Sequence, residues 1–426
     1  MLMLSLFAVL VVLICLNVPI AVALAVAGIV GLLVTEGTNS IVTVALDMYD
    51  GSTKFSLIAI PMFVLAGAIM NAGGITDRLI NFVTAIIGFV RGGLAMVNIG
   101  VSLFFAEISG SAVADVAALG SILIPQMKKR GYSGPLSAAV TSSSASLAII
   151  IPPSIPMILY ATSANTSVEQ LFVAGVVPGL IGAAGLMGVA YYFARKYDLP
   201  VEEAFNMKRL RETFVDALPA FSLPVIILGG IFGGYVTATE AAGLAVLAAL
   251  VVGAWYGQIN LKHLRRAMLD GGMQTAVVMV LVAASVLMGG FLTRAQVPQE
   301  IAQSILDFTD SKWVILLILN VFFLIIGFFL HSAAAIILVV PIVIPLINAA
   351  GIDPVHFGLV VTLNLAIGQQ TPPVASVLIT ACAVARANIW QVTKVNVYFV
   401  AVLLAVLLIC TYVPQVPLFL VDYFYR

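Results

Sequence analysis

The sequence predicts an all-α polytopic membrane protein built as an inverted repeat, with two oppositely facing re-entrant hairpins and two interrupted helices. Three observations carry that prediction. Of its 426 residues, 62% are hydrophobic and only 9% are charged, and the mean hydropathy is +1.16. Soluble domains carry about a quarter charged residues, so a soluble enzyme is excluded. Two apolar segments are too long for a single crossing, and each is interrupted midway by small or polar residues. Two Pro-Pro motifs then follow those segments at matching places in the two halves. The net charge is zero, with 19 Lys+Arg against 19 Asp+Glu. That balance excludes the basic footprint of a nucleic-acid partner.

A spanning helix needs roughly 20 apolar residues. Apolar stretches run over 2–16, 19–35, 56–73, 93–126, 136–164, 171–194, 217–235, 240–257, 273–292, 313–349, 356–385 and 395–414. No basic leader with a cleavage site precedes the first, so it is expected to remain in the mature chain. Amphipathic stretches at 39–50, 75–90, 260–270 and 298–310 are expected to lie in the membrane interface, against lipid, as bracing arms.

The long segments are 93–126 and 313–349. The first breaks at Glu107-Ile108-Ser109-Gly110-Ser111 and the second at Leu330-His331-Ser332-Ala333. Arg91 precedes the first and Lys128-Lys129-Arg130 follow it, so both flanks read as cytoplasmic. Acidic residues flank the second, with Asp307 and Asp310 before it and Asp353 after, which suits the outside. Threaded this way, the chain makes ten full crossings and two hairpins, with both termini outside. All 19 basic residues except Lys54, Arg294, Lys312 and Arg426 then fall in cytoplasmic loops.

One membrane domain, 1–426, is expected. Residues 19–194 form one copy, with hairpin 93–126 and broken helix 136–164. Residues 195–239 are a cytoplasmic linker and connecting span. Residues 240–414 form the other copy, with hairpin 313–349 and broken helix 356–385. Ser146-Leu147-Ala148-Ile149 before Pro152-Pro153 matches Asn364-Leu365-Ala366-Ile367 before Pro372-Pro373, and Asn98 matches Asn320. One copy starts outward and the other inward. Inverted repeats with broken helices are a transporter signature, with the site at mid-membrane between the halves.

Consecutive prolines remove amide donors and free the carbonyls of the preceding turn. In hydrocarbon such carbonyls need a partner. A hard cation such as Na+ meets carbonyls and Ser/Thr hydroxyls without a fixed charge. Each hairpin tip presents a helix N-terminus, which suits an anionic group. The pattern therefore reads as sodium–anion symport. The bland alternatives are a simple proline kink, Ser/Thr bonding back to the helix, and Ser142-Ser143-Ser144 as small residues for close packing. Glu107 and Asp115 flank the first tip and are functional candidates by depth. His331 is a substrate donor, a gate, or bonded to a backbone carbonyl. Glu240 in Thr237-Ala238-Thr239-Glu240 reads as a capping residue. Lys54 and Arg294 face outside as solvated charges or anion contacts. Cys15, Cys382 and Cys410 stand in apolar stretches and read as packing residues. An intramembrane enzyme is disfavoured, because H-E-x-x-H, G-x-S-x-G and a paired Asp motif are all missing.

With these motifs in place, the chain resembles the large membrane subunit of tripartite ATP-independent periplasmic (TRAP) transporters, the DctM-like family. The resemblance rests on Asn17-Val18-Pro19-Ile20-Ala21, Ile60-Pro61-Met62-Phe63-Val64-Leu65-Ala66-Gly67 and Ser109-Gly110-Ser111-Ala112-Val113-Ala114-Asp115. It rests further on Ile151-Pro152-Pro153-Ser154, Ala238-Thr239-Glu240-Ala241-Ala242 and Thr371-Pro372-Pro373. It covers nearly the whole length and is most like the sialic acid (SiaM-type) branch. It implies an elevator-type transporter of the bacterial inner membrane, coupled to Na+ and needing no organic cofactor. Its partners would be a periplasmic substrate-binding protein and a small four-helix membrane subunit, expected as a separate chain. The cargo would be an organic acid, with C4-dicarboxylates as an alternative. A stand-alone sodium/dicarboxylate symporter is the competing class. Carried over residue by residue, sodium site 1 would use Ser109, Ser111, Ser144, Ile150 and Pro153. Site 2 would use Ser332, Gly368, Thr371 and Val374. The substrate would lie between Asp115, Ser154, His331 and Gln370. The second tip, His331-Ser332-Ala333, departs from the Ser-Gly-Ser of the first.

Overall fold

The computed structural model describes residues 9, 12, 13, 16 and 18–425, apart from the side chains of residues 39, 105–109, 261, 263 and 270. Among the described residues every regular element is helical. The first half runs α1 (Ile20–Glu36), α2 (Ile41–Ser52), α3 (Ala59–Ala72) and α4 (Ile75–Ile87). A hairpin of α5 (Gly93–Ser109) and α6 (Ala112–Lys129) follows. The first broken helix is α7 (Gly134–Ala145), α8 (Leu147–Ile150) and α9 (Ile155–Ala164), and α10 (Val168–Lys196) closes the half. A connector of α11 (Met207–Ala217) and α12 (Ser222–Phe232) bends by 54°. The second half runs α13 (Ala238–Trp255), α14 (Leu261–Arg294) and α15 (Val297–Phe308). Its hairpin is α16 (Lys312–Phe329) and α17 (Ser332–Ala349). Its broken helix is α18 (Pro354–Gly368) and α19 (Ser376–Ala385), followed by α20 (Ile389–Tyr412) and a last helix α21 (Gln415–Tyr425). Among the described residues, eight helical stretches are long and apolar enough to cross a membrane, or nine with the bent connector.

Local chemistry sets many of these starts. Ser133, Ser154, Ser167, Asn206, Asp353 and Asn388 each accept a backbone N–H as N-cap. Thr237 and Glu240 form a reciprocal capping box at the head of α13, the role expected of Glu240. Gly110 turns the first tip at φ +58, a conformation that glycine adopts without the Cβ clash.

The hairpins open to opposite ends, and side-chain contacts demonstrate it. Arg91, ahead of α5, pairs with Asp198 at 2.8 Å, and Arg130, behind α6, pairs with Glu202 at 2.9 Å. Both flanks of the first hairpin therefore meet one segment, 198–202, at one end of the molecule. Lys128 donates to Ala385 O at 3.1 Å, which brings the start of α20 to that same end. The second hairpin behaves differently. Trp313, at its entry, lies 6.0 Å from Tyr412 between ring centroids, and His356, beyond its exit, bonds Cys410 O at 2.7 Å. Both of its flanks meet the far end of α20. At 1.5 Å per residue, the 24 residues of α20 separate the two ends by about 36 Å.

Two differences from the sequence reading stand out. The arm expected at 260–270 is not separate but continues into a helix of 34 residues. Gly271-Gly272 weakens a helix without ending it, because no proline or cap follows. In the first half, by contrast, the chain leaves α2 at Thr53 and restarts through a short 3-10 turn at Phe55–Ile58. The last helix, α21, was not foreseen, since its eleven residues are too short to read as a span.

Packing divides the helices into two groups. The long α14 runs along α1, α2 and α3, and α13 lies along α3. The hairpins, broken helices and α20 interlock around α7 and α18. Both broken helices are almost entirely buried up to their breaks. Cys382 and Cys410 are buried and unpaired, as packing residues should be.

Candidate functional site

The breaks organise the site. In the first, the helix ends at Ile150, and Ile151 is extended at φ −86 and ψ 133. Pro152-Pro153 follows, and Ser154 caps α9. The Ser154 hydroxyl donates to Ile149 O at 2.7 Å and accepts from Met157 N at 3.4 Å. It thus bridges the gap it helps to create. In the second, the helix ends at Gly368, and α19 restarts from Ala375, which is left-handed at φ 47. The Pro-Pro peptide bond is cis in both breaks.

Each break is gripped at close range. A Cβ built on Gly110 at the first tip would lie 3.0 Å from Pro153 O and 3.1 Å from Ile155 N. The Ile150 carbonyl faces Gly175 of α10 so closely that a Cβ there would lie 2.1 Å away. In the second break, a Cβ on Gly368 would lie 2.5 Å from the backbone of Gly327 in α16. Val374 N donates to Phe328 O at 3.3 Å. The first tip and the last turn of α16 are therefore each packed onto the break of their own half.

Buried amides hold the half-helices in place. Asn98 on α5 donates to Thr141 Oγ at 2.7 Å and accepts from Ser144 Oγ at 3.1 Å. Asn364 on α18 donates to Asn320 Oδ1 on α16 at 2.7 Å, and Asn320 donates to Thr411 Oγ at 3.1 Å. The Asn98 and Asn320 noted in the sequence thus do the same job in the two copies. Across the halves, Gln370 donates through Nε2 to Ser142 O and Ser146 Oγ. Asn396 donates to Gln370 O at 3.2 Å and to its Oε1 at 3.3 Å, and Ser143 donates to Asn396 Oδ1 at 2.7 Å. Such hydrogen bonds contribute about 1 kcal/mol each while satisfied, and an orphaned partner costs about 1–3 kcal/mol.

A cavity of about 650 Å3 opens where these parts meet. Gly110 and Ser111 of the first tip and His331 and Ser332 of the second line it. So do Ile149 and Ile155 of the first break and Gln369, Ser376 and Thr380 around the second. Val64 of α3 and Met273, Gln274, Val277 and Val278 of α14 form the facing wall. Among the expected residues, Ser111, His331 and Ser332 reach this space. Pro153 stands against the first tip, and Ile150 turns its carbonyl toward α10. Ser144 is engaged with Asn98. Thr371 donates to Ile367 O at 3.0 Å, and Gly368 and Val374 hold α16. Asp115 is buried in the first turn of α6. Asp115, Ser154 and Gln370 are not in the cavity wall. The side chains of Glu107 and Ser109 lie outside the described residues. Sequence reasoning missed Gln369, Thr380, Gln274 and Asn396. Gln369 and Gln370 are adjacent and identical in type, and only the winding after Gly368 decides which one faces the cavity.

Among the described residues no three His, Cys, Asp or Glu side chains gather as a metal cluster. The donors near the breaks are hydroxyl and carbonyl oxygens, a set suited to a hard monovalent ion. At the end opposite the basic loops, the turn before α3 is tied to α9. Lys54 Nζ donates to Thr162 O at 2.9 Å, and Ser56 and Thr162 share a hydrogen bond at 3.1 Å. Burial pushes the Lys54 pKa down from the usual lysine range.

Comparison with known proteins agrees with this architecture. The family model described as "Tripartite ATP-independent periplasmic transporter, DctM component" matches residues 7–416. The chain is 40% identical over 405 residues to the isethionate TRAP transporter permease protein DctMQ of Oleidesulfovibrio alaskensis. That match covers 95% of this chain but 64% of the relative, so the chain spans less than two thirds of that protein. It is 36% identical over 411 residues to the sialic acid TRAP transporter large permease protein SiaM of Vibrio cholerae, covering 95% of each. The fold is similar to the crystal structure of the Alcanivorax borkumensis YdaH transporter, described as having an unusual topology. The TM-score is 0.64, the identity 15% and the coverage 89% of each chain. The chain belongs to the DctM-component family of tripartite ATP-independent periplasmic transporters, as a multi-pass membrane permease.

Proposed function

We propose that this permease imports a small organic anion across the bacterial inner membrane, driven by inward movement of sodium. It receives the anion from a periplasmic substrate-binding protein and works beside a small four-helix membrane subunit. The observation that carries this reading is the cavity shared by both tips and both breaks. Its far wall belongs to the helices grouped around α14. Sliding of the hairpin group along that wall would expose the cavity to one end and then the other, which is an elevator. Both termini would lie on the periplasmic side.

Sodium would bind as cargo where tip and break touch. One ion would use Ser109, Ser111 and the carbonyls of the first break, and the other would use Ser332 and the carbonyls around Gly368 and Thr371. The anion would then meet Ser111, His331 and the N-termini of α6 and α17. Binding both ions first would fix the tips and so preorganise the anion site. The relatives transport different anions by name, so an organic anion is the supported class. The sequence resemblance favours sialic acid, and C4-dicarboxylates and isethionate complete the panel.

The test is uptake into proteoliposomes holding both membrane subunits, with binding protein added outside. Uptake of N-acetylneuraminate, succinate or isethionate should require an inward sodium gradient. Uptake that persists when choline replaces sodium would overturn the coupling. Uptake of free substrate without the binding protein would favour the stand-alone symporter.

A further inference from the structure

A second cavity, of about 670 Å3, adjoins the first between α3, α6 and α14. The two share Val64, Ala114, Ala117 and Gln274 in their walls, so they form one path. The second wall is mostly alanine and glycine. Its polar groups are Asn71, Ser121, Gln274 and one cation, Arg266. Arg266 stands near the start of α14, whose neighbours Lys262 and Arg265 belong to the basic loops. Four arginines at that end, Arg78, Arg91, Arg130 and Arg209, are paired with carboxylates. Arg266 is exposed, and it forms no ion pair among the described residues, which leave out the side chain of Asp270 one turn further on.

We infer that this second cavity is a release vestibule and that Arg266 is its anion-binding position. It would take the carboxylate or sulfonate of the departing substrate. The inference deepens the transport reading above and rests on it for the identity of the ligand. Three physical points support it. A guanidinium is weakly hydrated and presents a planar donor fork that matches a carboxylate or sulfonate. A single positive charge in an apolar-walled passage focuses its field along that passage and raises the local anion concentration. Arg266 also stands on α14, in the wall facing the hairpins, so its pull on an anion carried by the tips depends on where the hairpin group stands. Lys54 and Ser56 tie the opposite end of the molecule to Thr162, whereas the central cavity adjoins the one that holds Arg266. Gln274, in both walls, is the step between tip and guanidinium.

A test independent of substrate identity uses a single cysteine at Ser121, or at Ala118 if that variant folds poorly. The native Cys15, Cys382 and Cys410 are first replaced by alanine in the full permease complex. The thiol is challenged with anionic sulfonatoethyl methanethiosulfonate and cationic trimethylammonioethyl methanethiosulfonate. Arg266→Gln should lower the anionic-to-cationic rate ratio by about threefold or more at low ionic strength, and Arg266→Lys should keep most of it. High potassium chloride should erase the difference between Arg266 and Arg266→Gln, which a merely structural role would not predict. An unchanged ratio in Arg266→Gln overturns the inference. In proteoliposomes loaded with a panel anion that the wild type carries, Arg266→Gln should raise the KM for efflux more than it lowers kcat. Equal losses in kcat alone would also count against it. Absence of any wild-type transport would overturn the transport reading while leaving the labelling result to decide the vestibule.

Discussion

The two breaks show how one motif is held open in two ways. Both end a buried half-helix in Pro-Pro, and both press a carbonyl-rich turn against a glycine. The first is locked from many sides. Gly175 of α10 lies on Ile150 O, Gly110 lies on Pro153 O, and Ser154 caps the restart with its own side chain. The second is held by α16 at Gly327 and Phe328 and by hydrogen bonds of Gln370 to α7 and α20, and it restarts from a strained alanine without a side-chain cap. The arms of the first hairpin also pack along each other, whereas those of the second scarcely touch. The two breaks therefore sit in one stiff frame and one looser one. The looser frame carries the departing tip sequence, His331-Ser332-Ala333.

The sharpest way to break this comparison is to add one methyl group to each grip. Gly175→Ala would place a Cβ 2.1 Å from Ile150 O, and Gly368→Ala would place one 2.5 Å from the Gly327 backbone. Both must displace main chain, and overpacking of that kind costs about 1–3 kcal/mol or more. Gly175→Ala should lie at the upper end, with a large fall in melting temperature in detergent and loss of sodium-dependent uptake. Gly368→Ala should cost less, because α16 exposes much of one face to its surroundings and can shift. Equal losses would mean the second frame is as rigid as the first.

Much of the architecture behind this contrast was legible in the sequence, and the illegible part has a physical cause. The hairpins could be read because charge reports sidedness. Arg91 and Arg130 flank one apolar segment, and the structure ties both to the same short loop. The breaks could be read because Pro-Pro cannot continue a helix. Asn98 and Asn320 could be paired by spacing, and each does hold its own half-helix. The continuity of α14 could not be read, because Gly-Gly is a weak helix breaker whose outcome depends on packing against α3. Nor could the choice between Gln369 and Gln370. A turn tightened after Gly368 rotates them to opposite sides, and that turn exists because α16 leaves no room for another residue's side chain. Asn396 gave no signal at all, being one amide in an apolar span whose partners are Ser143 in the other half and Gln370 in its own break.

Gln370 offers the second test, because it joins the stiff frame to the loose one. Its amide reaches Ser142 and Ser146 on one side and Asn396 on the other. Gln370→Leu removes these side-chain bonds at about 1 kcal/mol each and leaves Ser146 Oγ without its donor at about 1–3 kcal/mol, while Ser142 O keeps Ser146 N–H and Asn396 keeps the Gln370 carbonyl. The expected result is a stability loss of about 2–3 kcal/mol with a modest change in substrate KM. The neighbouring Gln369→Leu should do the reverse, raising KM with little change in melting temperature, since its side chain faces the cavity. A KM effect larger at Gln370 than at Gln369 would return Gln370 to the substrate and make the cross-link incidental.

The smallest effects come from the restart residues, and their signs should differ. Ser154→Ala removes a cap and the bridge to Ile149 O, so it should destabilise by about 1 kcal/mol. At the second break, Ala375 holds φ 47 and ψ 57, a left-handed conformation that costs an L-residue roughly 1–2 kcal/mol. Ala375→Gly relieves that strain and increases the freedom of the unfolded chain by a comparable amount, about 0.5–1 kcal/mol. It should therefore be neutral to slightly stabilising, even though an alanine buried in a helix start is ordinarily costly to remove. Thermal unfolding of the two variants side by side reads the difference. If Ala375→Gly lost as much as Ser154→Ala, the Ala375 methyl packing would outweigh its strain. The restart of the second break would then be held by its own side chain after all, as the first one is.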